Sequence, residues 1–467
     1  MKILSILLSF FIGFITYPLS FLPANNNENY IIVSSVMTEE SLMLNGKESG
    51  IKITGDYVLS SDGVLSVTDK TTLAFENPYT DWFNYYCFLF DSDSHIKGEI
   101  CYRAGVKEKS EDFFLEKGEN VFCSFIDNFL NGVKANAIVS LSFEPLENDD
   151  ANIELKGVSL LNRAIPDREI FIENDKYKIG VDLLWGGALS YMEDLDSDVQ
   201  AVEVDGIIKV DSNASERYST KSINDNVNLI NRYDTGRLIQ QSYYGTAFDG
   251  YECGEFMGNK WNYNPVQGGN QFNESSKIVD LIIKDDFIYI KSRPLDWAKS
   301  KEYITPSYME AEYSFEKDTV HVSCRFVDFS GFPDYYTTQE LPAFYCIEPL
   351  NRYVYYNESG FVYEPDLIFW PDAGYPNFTS TEGWSAFIGE FDDSFGIGLY
   401  CPGETNFLAG VFDREKTVKT DPSKDAATSY IALVKYMDFC SFKPIEYDFY
   451  LTTGEKNEIR NNFNEFK

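Results

Sequence analysis

Short runs in which apolar and polar residues alternate recur along almost the whole chain, and this periodicity constrains the fold more than any other feature. Glu99-Ile100-Cys101-Tyr102, Ala137-Ile138-Val139-Ser140-Leu141-Ser142-Phe143, Thr319-Val320-His321-Val322-Ser323 and Tyr447-Asp448-Phe449-Tyr450-Leu451 are examples. A period of two puts every second side chain on one face of a strand, whereas a helix needs a period of about 3.6. No long stretch has the helical period, and clusters of Gly, Asn, Asp and Ser separate the runs. With 37 Phe and 32 Tyr, the chain is also rich in side chains that fit a pleated, half-buried surface. The pattern predicts an all-β protein, and the lack of a fixed repeat length disfavours a propeller.

At roughly 100–200 residues per domain, a chain of 467 residues holds two or three domains. Strand-like runs at sandwich spacing fill the stretch from about 50 to 163. Residues 25–163 are therefore expected to form one antiparallel β-sandwich. Pro166-Asp167-Arg168 opens the second part of the chain, and Asn174-Asp175 is a hairpin signal between two strand-like runs. Residues 164–467 are expected to form a second domain of large stacked sheets.

The charge limits the partners. Asp and Glu number 74 against 39 Lys and Arg, a formal balance of −35, which repels phosphates and argues against nucleic acid and anionic membranes. Only His95 and His321 are present, leaving little room for a multi-histidine metal site. There is no GxSxG, Walker loop, HExxH or GxGxxG after a strand. No cofactor is expected. Structural calcium on acidic loops such as Asp372 and Asp392-Asp393 stays open, without EF-hand spacing. The eight Cys form no CxxC and read either as buried small residues on strands or as one or two disulfides.

Residues 1–22, MKILSILLSFFIGFITYPLSFL, carry one Lys and a long apolar run broken by Pro18 and Ser20. Residues 1–24 are expected to be a secretory signal, making the protein extracellular; the alternative is an uncleaved anchor. No integral membrane segment is expected after it. Sequons begin at Asn213, Asn273, Asn357 and Asn377, so a glycosylating host would make a glycoprotein. The oligomeric state stays open.

Two segments carry family resemblances. Glu111-Asp112-Phe113-Phe114-Leu115-Glu116-Lys117-Gly118, followed by Phe122-Cys123-Ser124-Phe125-Ile126-Asp127, resembles the jelly-roll modules attached to secreted carbohydrate-active enzymes. Trp185-Gly186-Gly187-Ala188-Leu189-Ser190-Tyr191 resembles the early Gly-Gly strand of galactose-mutarotase-like supersandwich domains. That superfamily includes sugar epimerases, and similar folds occur in polysaccharide lyases and in parts of glycoside hydrolases. The resemblance implies a jelly-roll-like sandwich followed by a supersandwich, with an oligo- or polysaccharide partner. It names no reaction, and His321 is open as either a catalytic or a sheet-face histidine.

Three polar segments are candidates for the sugar site. Asn231 to Gly245 holds Arg232, Asp234, Arg237, Gln240, Tyr243 and Tyr244 between turn-forming glycines. Trp261 to Gly269 adds Trp261, Asn264 and Gln267, and Tyr335 to Tyr345 adds Glu340. Amides and guanidinia can pair with hydroxyls while aromatic rings cover the apolar side of a pyranose. Arg232 and Arg237 are expected to orient substrate or neutralise a uronate. Arg293-Pro294-Leu295-Asp296-Trp297 has a weaker claim of the same kind. Glu340, beside apolar residues and just before Leu341-Pro342, is the first choice for acid–base catalysis through a raised pKa, and Asp234 the second. Hydrolysis needs two carboxyls about 5–5.5 Å apart if retaining or about 6.5–9.5 Å if inverting. Elimination beside a uronate needs a Tyr or His base and an Arg. A non-catalytic glycan-binding or cell-surface protein is the alternative.

Overall fold

A computed structural model describes residues 41–467 apart from 45–46, 77, 127–131, 148–149, 247–250, 301–302, 365–366, 368–375 and 414–419. The expected signal at 1–24 and Asp372 lie outside the described residues. The protein is all-β, with antiparallel ladders throughout and few, short helices among the described residues. Contacts divide the chain into two compact units. The first runs to Pro166 and also takes in Ile278–Ile283, a piece of the stretch assigned by sequence to the second domain; the second holds the rest.

In the first unit, a seven-stranded and a five-stranded sheet enclose one core. Aromatic rings fill its centre: Phe113 stacks on Phe122 at 4.5 Å and on Phe90 at 5.7 Å, and Phe143 meets Phe90 edge-on at 5.7 Å. Gly98 lies directly opposite Phe113 in the ladder, and a Cβ there would sit 2.1 Å from the ring. The glycine gives the ring its place, which is the usual reason for glycine inside a strand.

The second unit contains two large sheets. One runs in the order Glu169–Glu173, Tyr177–Asp182, Ala188–Asp194, Ile239–Ser242, Tyr335–Ile347, Thr428–Phe439, Asn406–Phe412 and Asn377–Thr379. The other includes Phe287–Arg293, Ser307–Glu316, Thr319–Asp328, Ile445–Glu455, Phe395–Tyr400, Trp384–Ile388, Arg352–Asn357 and Gly360–Glu364 in that order. Tyr243, just past the end of Ile239–Ser242 in the first, stacks on Phe326 of the second at 4.0 Å, and the Tyr313 hydroxyl donates to Gly187 O at 2.9 Å. The Gly-Gly pair has a physical reason. Gly186 and Gly187 both have left-handed φ, at 59° and 69°, after a single 3-10 turn, Leu183–Trp185. Side chains there would also strike Gln267 O at 1.9 Å and Ile290 Cδ1 at 2.3 Å.

The eight cysteines are free thiols. Among the described residues no helix is long and apolar enough to cross a membrane.

Candidate functional site

Glu340 stands on Tyr335–Ile347, opposite Ser242 on one neighbouring strand and Val434 on the other. Pro342 has no N–H to give the ladder, and the pairing slips there: Glu340 faces Val434, but Ala343 faces Ala432. Three steps on one strand match two on the other. Alternation is thereby reversed, so Glu340, Ala343 and Tyr345 share a face with Val434, Ala432 and Tyr430. Leu408 and Phe412 continue that face on the next strand.

The Glu340 carboxylate accepts hydrogen bonds from the hydroxyls of Tyr430 and, at 3.1 Å, Tyr244. The residue is half-buried. Burial pushes its carboxyl pKa up, and the two O–H donors offset only part of that rise. Tyr345 packs on Tyr430 at 4.3 Å and on Phe412 at 6.3 Å. Burial pushes the Tyr345 hydroxyl pKa up; Glu340 and Asp234 add to the rise, and Arg237 opposes it. Glu340, Asp234 and Arg237 therefore act electrostatically on the same tyrosine. On the other side, Tyr244 meets Trp261 at 6.4 Å, Trp261 meets Phe256 at 5.2 Å, and Phe256 meets Trp297 at 5.5 Å. These half-buried rings form a row leading away from the carboxyl.

The loop arginines already have partners. Asp234 accepts backbone N–H groups from Gly236 and Arg237 at 3.0 Å each and pairs with the Arg237 guanidinium. Arg237 also reaches Asp413 at 3.4 Å and Ala426 O at 3.2 Å, and lies over the Tyr233 ring at 5.1 Å. Arg232 pairs with Glu169 and stands 4.0 Å from Asp182. Both guanidinia are thus compensated by carboxylates of the protein.

Four predicted binding residues are placed inside the protein. Gln240 donates to Thr235 O at 2.9 Å and accepts from Gly268 N at 2.7 Å. Asn264 donates to Tyr243 O at 2.7 Å and accepts from the Trp261 indole at 3.0 Å. Gln267 accepts from Gln241 N at 3.2 Å and donates to Gly186 O at 3.3 Å. The Tyr243 hydroxyl donates to Gln241 at 2.9 Å. Side-chain amides here replace backbone ladder bonds beside the short strands Ile239–Ser242 and Pro265–Val266. Of the predicted set, the structure brings the half-buried Glu340, Tyr244 and Trp261 together, beside the buried Tyr430, and Asp234 and Arg237 act on the neighbouring Tyr345.

Glu310, His321 and Asp296 lie elsewhere. Glu310 belongs to the second large sheet, where Lys291 at 3.3 Å and Arg325 at 3.2 Å help hold its carboxyl below the usual range despite burial. His321 stacks on Tyr450 at 4.6 Å and bonds Asp448 at 2.9 Å on that same sheet. Asp296 is wholly buried, accepts from the Tyr251 hydroxyl, and has its pKa pushed to about 6, chiefly by burial. Asp393 pairs with Arg217 at 2.9 Å and Asp392 with Arg352 at 2.6 Å. Sequence reasoning did not single out Tyr430, Phe412 or Phe256. A Pro inside an otherwise continuous strand pattern was the signal that could have revealed the reversed alternation and with it Tyr430.

Comparison with known proteins gives likenesses of fold at low identity. Among solved structures, the chain is similar to a galactose-mutarotase-related enzyme from Lactobacillus acidophilus, with 10% identity over 61% of this chain and 97% of that one, at a TM-score of 0.29. It is similar to an α-galactosidase from Geobacillus stearothermophilus, with 10% identity over 62% of this chain and 40% of that one, at a TM-score of 0.31. A 4-α-glucanotransferase from Thermococcus litoralis shares 9% identity over 61% of this chain and 37% of its own, at a TM-score of 0.29. No family model matches the chain, and no curated protein matches it significantly. The all-β class rests on the sheets themselves.

Proposed function

We propose that the second unit binds a neutral glycan on the face carrying Glu340 and that Glu340 exchanges a proton with it. One observation carries this reading: a half-buried carboxyl with a raised pKa, held by the hydroxyls of Tyr244 and Tyr430 on a face lined by aromatic rings. A carboxyl displaced toward neutrality suits general acid–base work, and the rings suit the apolar side of a sugar. The compensated state of Arg232 and Arg237 weighs against a uronate and hence against elimination. Cleavage of a glycosidic bond and interconversion at a sugar centre both use such a carboxyl. The test is a panel of neutral and acidic polysaccharides and free sugars, followed for reducing ends, unsaturated products and changes of anomer. Turnover on a neutral substrate that is lost in Glu340→Gln supports the reading; activity confined to polyuronates, or retained in full by the variant, overturns it.

We further place the protein outside the cell, on residues 1–24 alone. N-terminal sequencing of protein recovered from the medium of a secreting host should begin near residue 25, and a start at Met1 would refute secretion by cleavage.

A further inference from the structure

The face that carries Glu340 does not end there. Two residues on from Glu340 toward the start of its strand is Thr338, opposite Tyr436, and two further is Tyr336, opposite Asp438. Tyr336, Thr338 and Glu340 therefore point the same way, with Val434, Tyr436 and Asp438 beside them. Tyr336 and Tyr436 are each 65% exposed, an unusual state for two adjacent aromatic side chains. They are diagonal neighbours across the ladder, and their rings lie 6.1 Å apart with only 28° between their planes. Four residues of extended strand put Tyr336 about 13 Å from Glu340.

We propose that Tyr336 and Tyr436 form an outlying subsite on which one unit of a neutral glycan chain lies while another unit of the same chain occupies the Glu340 site. The inference rests on the reading of Glu340 above and deepens it: the ligand is an oligomer or polymer, not a free monosaccharide. Two exposed rings at this spacing offer aromatic surface to the C–H face of a pyranose. Asp438 beside the rings can accept sugar hydroxyls and repels an anionic chain. The protein's balance of −35 also disfavours a second copy as the occupant, whereas a neutral chain feels no such repulsion.

The test is electrophoresis of the full chain through native gels containing galactomannan, xyloglucan, mixed-linkage β-glucan or, as the anionic comparator, polygalacturonate. Wild type should be retarded by at least one neutral gel. Tyr336→Ala/Tyr436→Ala should weaken the apparent affinity about three- to tenfold, the range for an aromatic stacking contact. Tyr336→Phe/Tyr436→Phe should keep it, and either single Ala variant gives the same reading if the double variant does not fold. Retardation unchanged in the Ala variants, absent from every neutral gel, or confined to polygalacturonate overturns the subsite. Glu340→Gln separates the two ideas. If it abolishes turnover while the Ala variants bind as wild type, only the subsite fails. If it leaves turnover intact while the Ala variants lose binding, the subsite stands and the catalytic assignment fails.

Discussion

Glu340 and Tyr345 are five positions apart on one strand and still share a face, because the extra residue at Leu341-Pro342 reverses the alternation between them. Without that insertion the carboxyl and the ring that senses it would point to opposite sides of the sheet. The irregularity of this strand is what assembles the candidate site.

Replacing Glu340 with Gln preserves size and should leave glycan binding in place. Turnover should fall by about 100-fold or more if the carboxyl is the acid or base. Steady-state kinetics beside a binding measurement on the same variant would check both halves of the statement.

Tyr430→Phe removes one of the two hydroxyls that favour the ionised Glu340 carboxyl. Its pKa should rise further, so whichever limb of the pH–rate profile Glu340 governs should move to higher pH. An unmoved profile, recorded with Glu340→Gln as reference, would detach Glu340 from the rate.

The buried Asp296 makes a prediction about stability. Its folded pKa of about 6 exceeds the 3.8 of an ordinary aspartate, so the folded state holds a proton that the unfolded chain releases. This contribution is complete at low pH and is lost as pH rises from about 4 to about 6, a change of roughly 3 kcal/mol across the window. Asp296→Asn should make the melting temperature less sensitive to pH in that range. Burial raises the pKa of Asp328 and Glu340 in the same sense, so the slope should shrink without vanishing.

At Gly187 both the left-handed φ and the 2.3 Å approach of Ile290 exclude a branched side chain. Gly187→Val should cost more than the 1–2 kcal/mol or so attached to the backbone conformation alone. Denaturant unfolding of the variant would measure it.

In the first unit, Phe113→Ala removes a ring shared by Phe90, Phe122 and Phe143. A loss of about 3–5 kcal/mol is expected from the cavity and lost burial, read as a lower unfolding midpoint of that unit.

The all-β class was legible because alternation and aromatic content bear directly on strand formation. The Gly-Gly turn was legible for the same local reason: two adjacent left-handed residues leave few choices of side chain. Glu340 could be picked out from its apolar neighbours and Pro342, but its aromatic surroundings could not. Tyr430 and Phe412 reach it only through sheet pairing between segments distant in sequence. Gln240, Asn264 and Gln267 looked like ligand-facing amides because an amide that caps a broken ladder has the same composition signature as one that meets a sugar. Only the fold distinguishes them, through the backbone groups they satisfy.

The Tyr177 hydroxyl, near the start of the second unit, bonds Thr452 Oγ1 at 3.0 Å and accepts the Thr453 N–H at 3.3 Å, and Lys176 pairs with Glu458 at 3.2 Å. Tyr177 and Thr452 are 275 residues apart in sequence. At translation rates of about 5–20 residues per second, the early hairpin waits roughly 15–55 s for its partner. The ladder mates of Tyr177–Asp182, which are Glu169–Glu173 and Ala188–Asp194, are made at once, but the groups that the Tyr177 hydroxyl and Lys176 bond are not, so this part of the second unit closes only when residues 445–464 emerge.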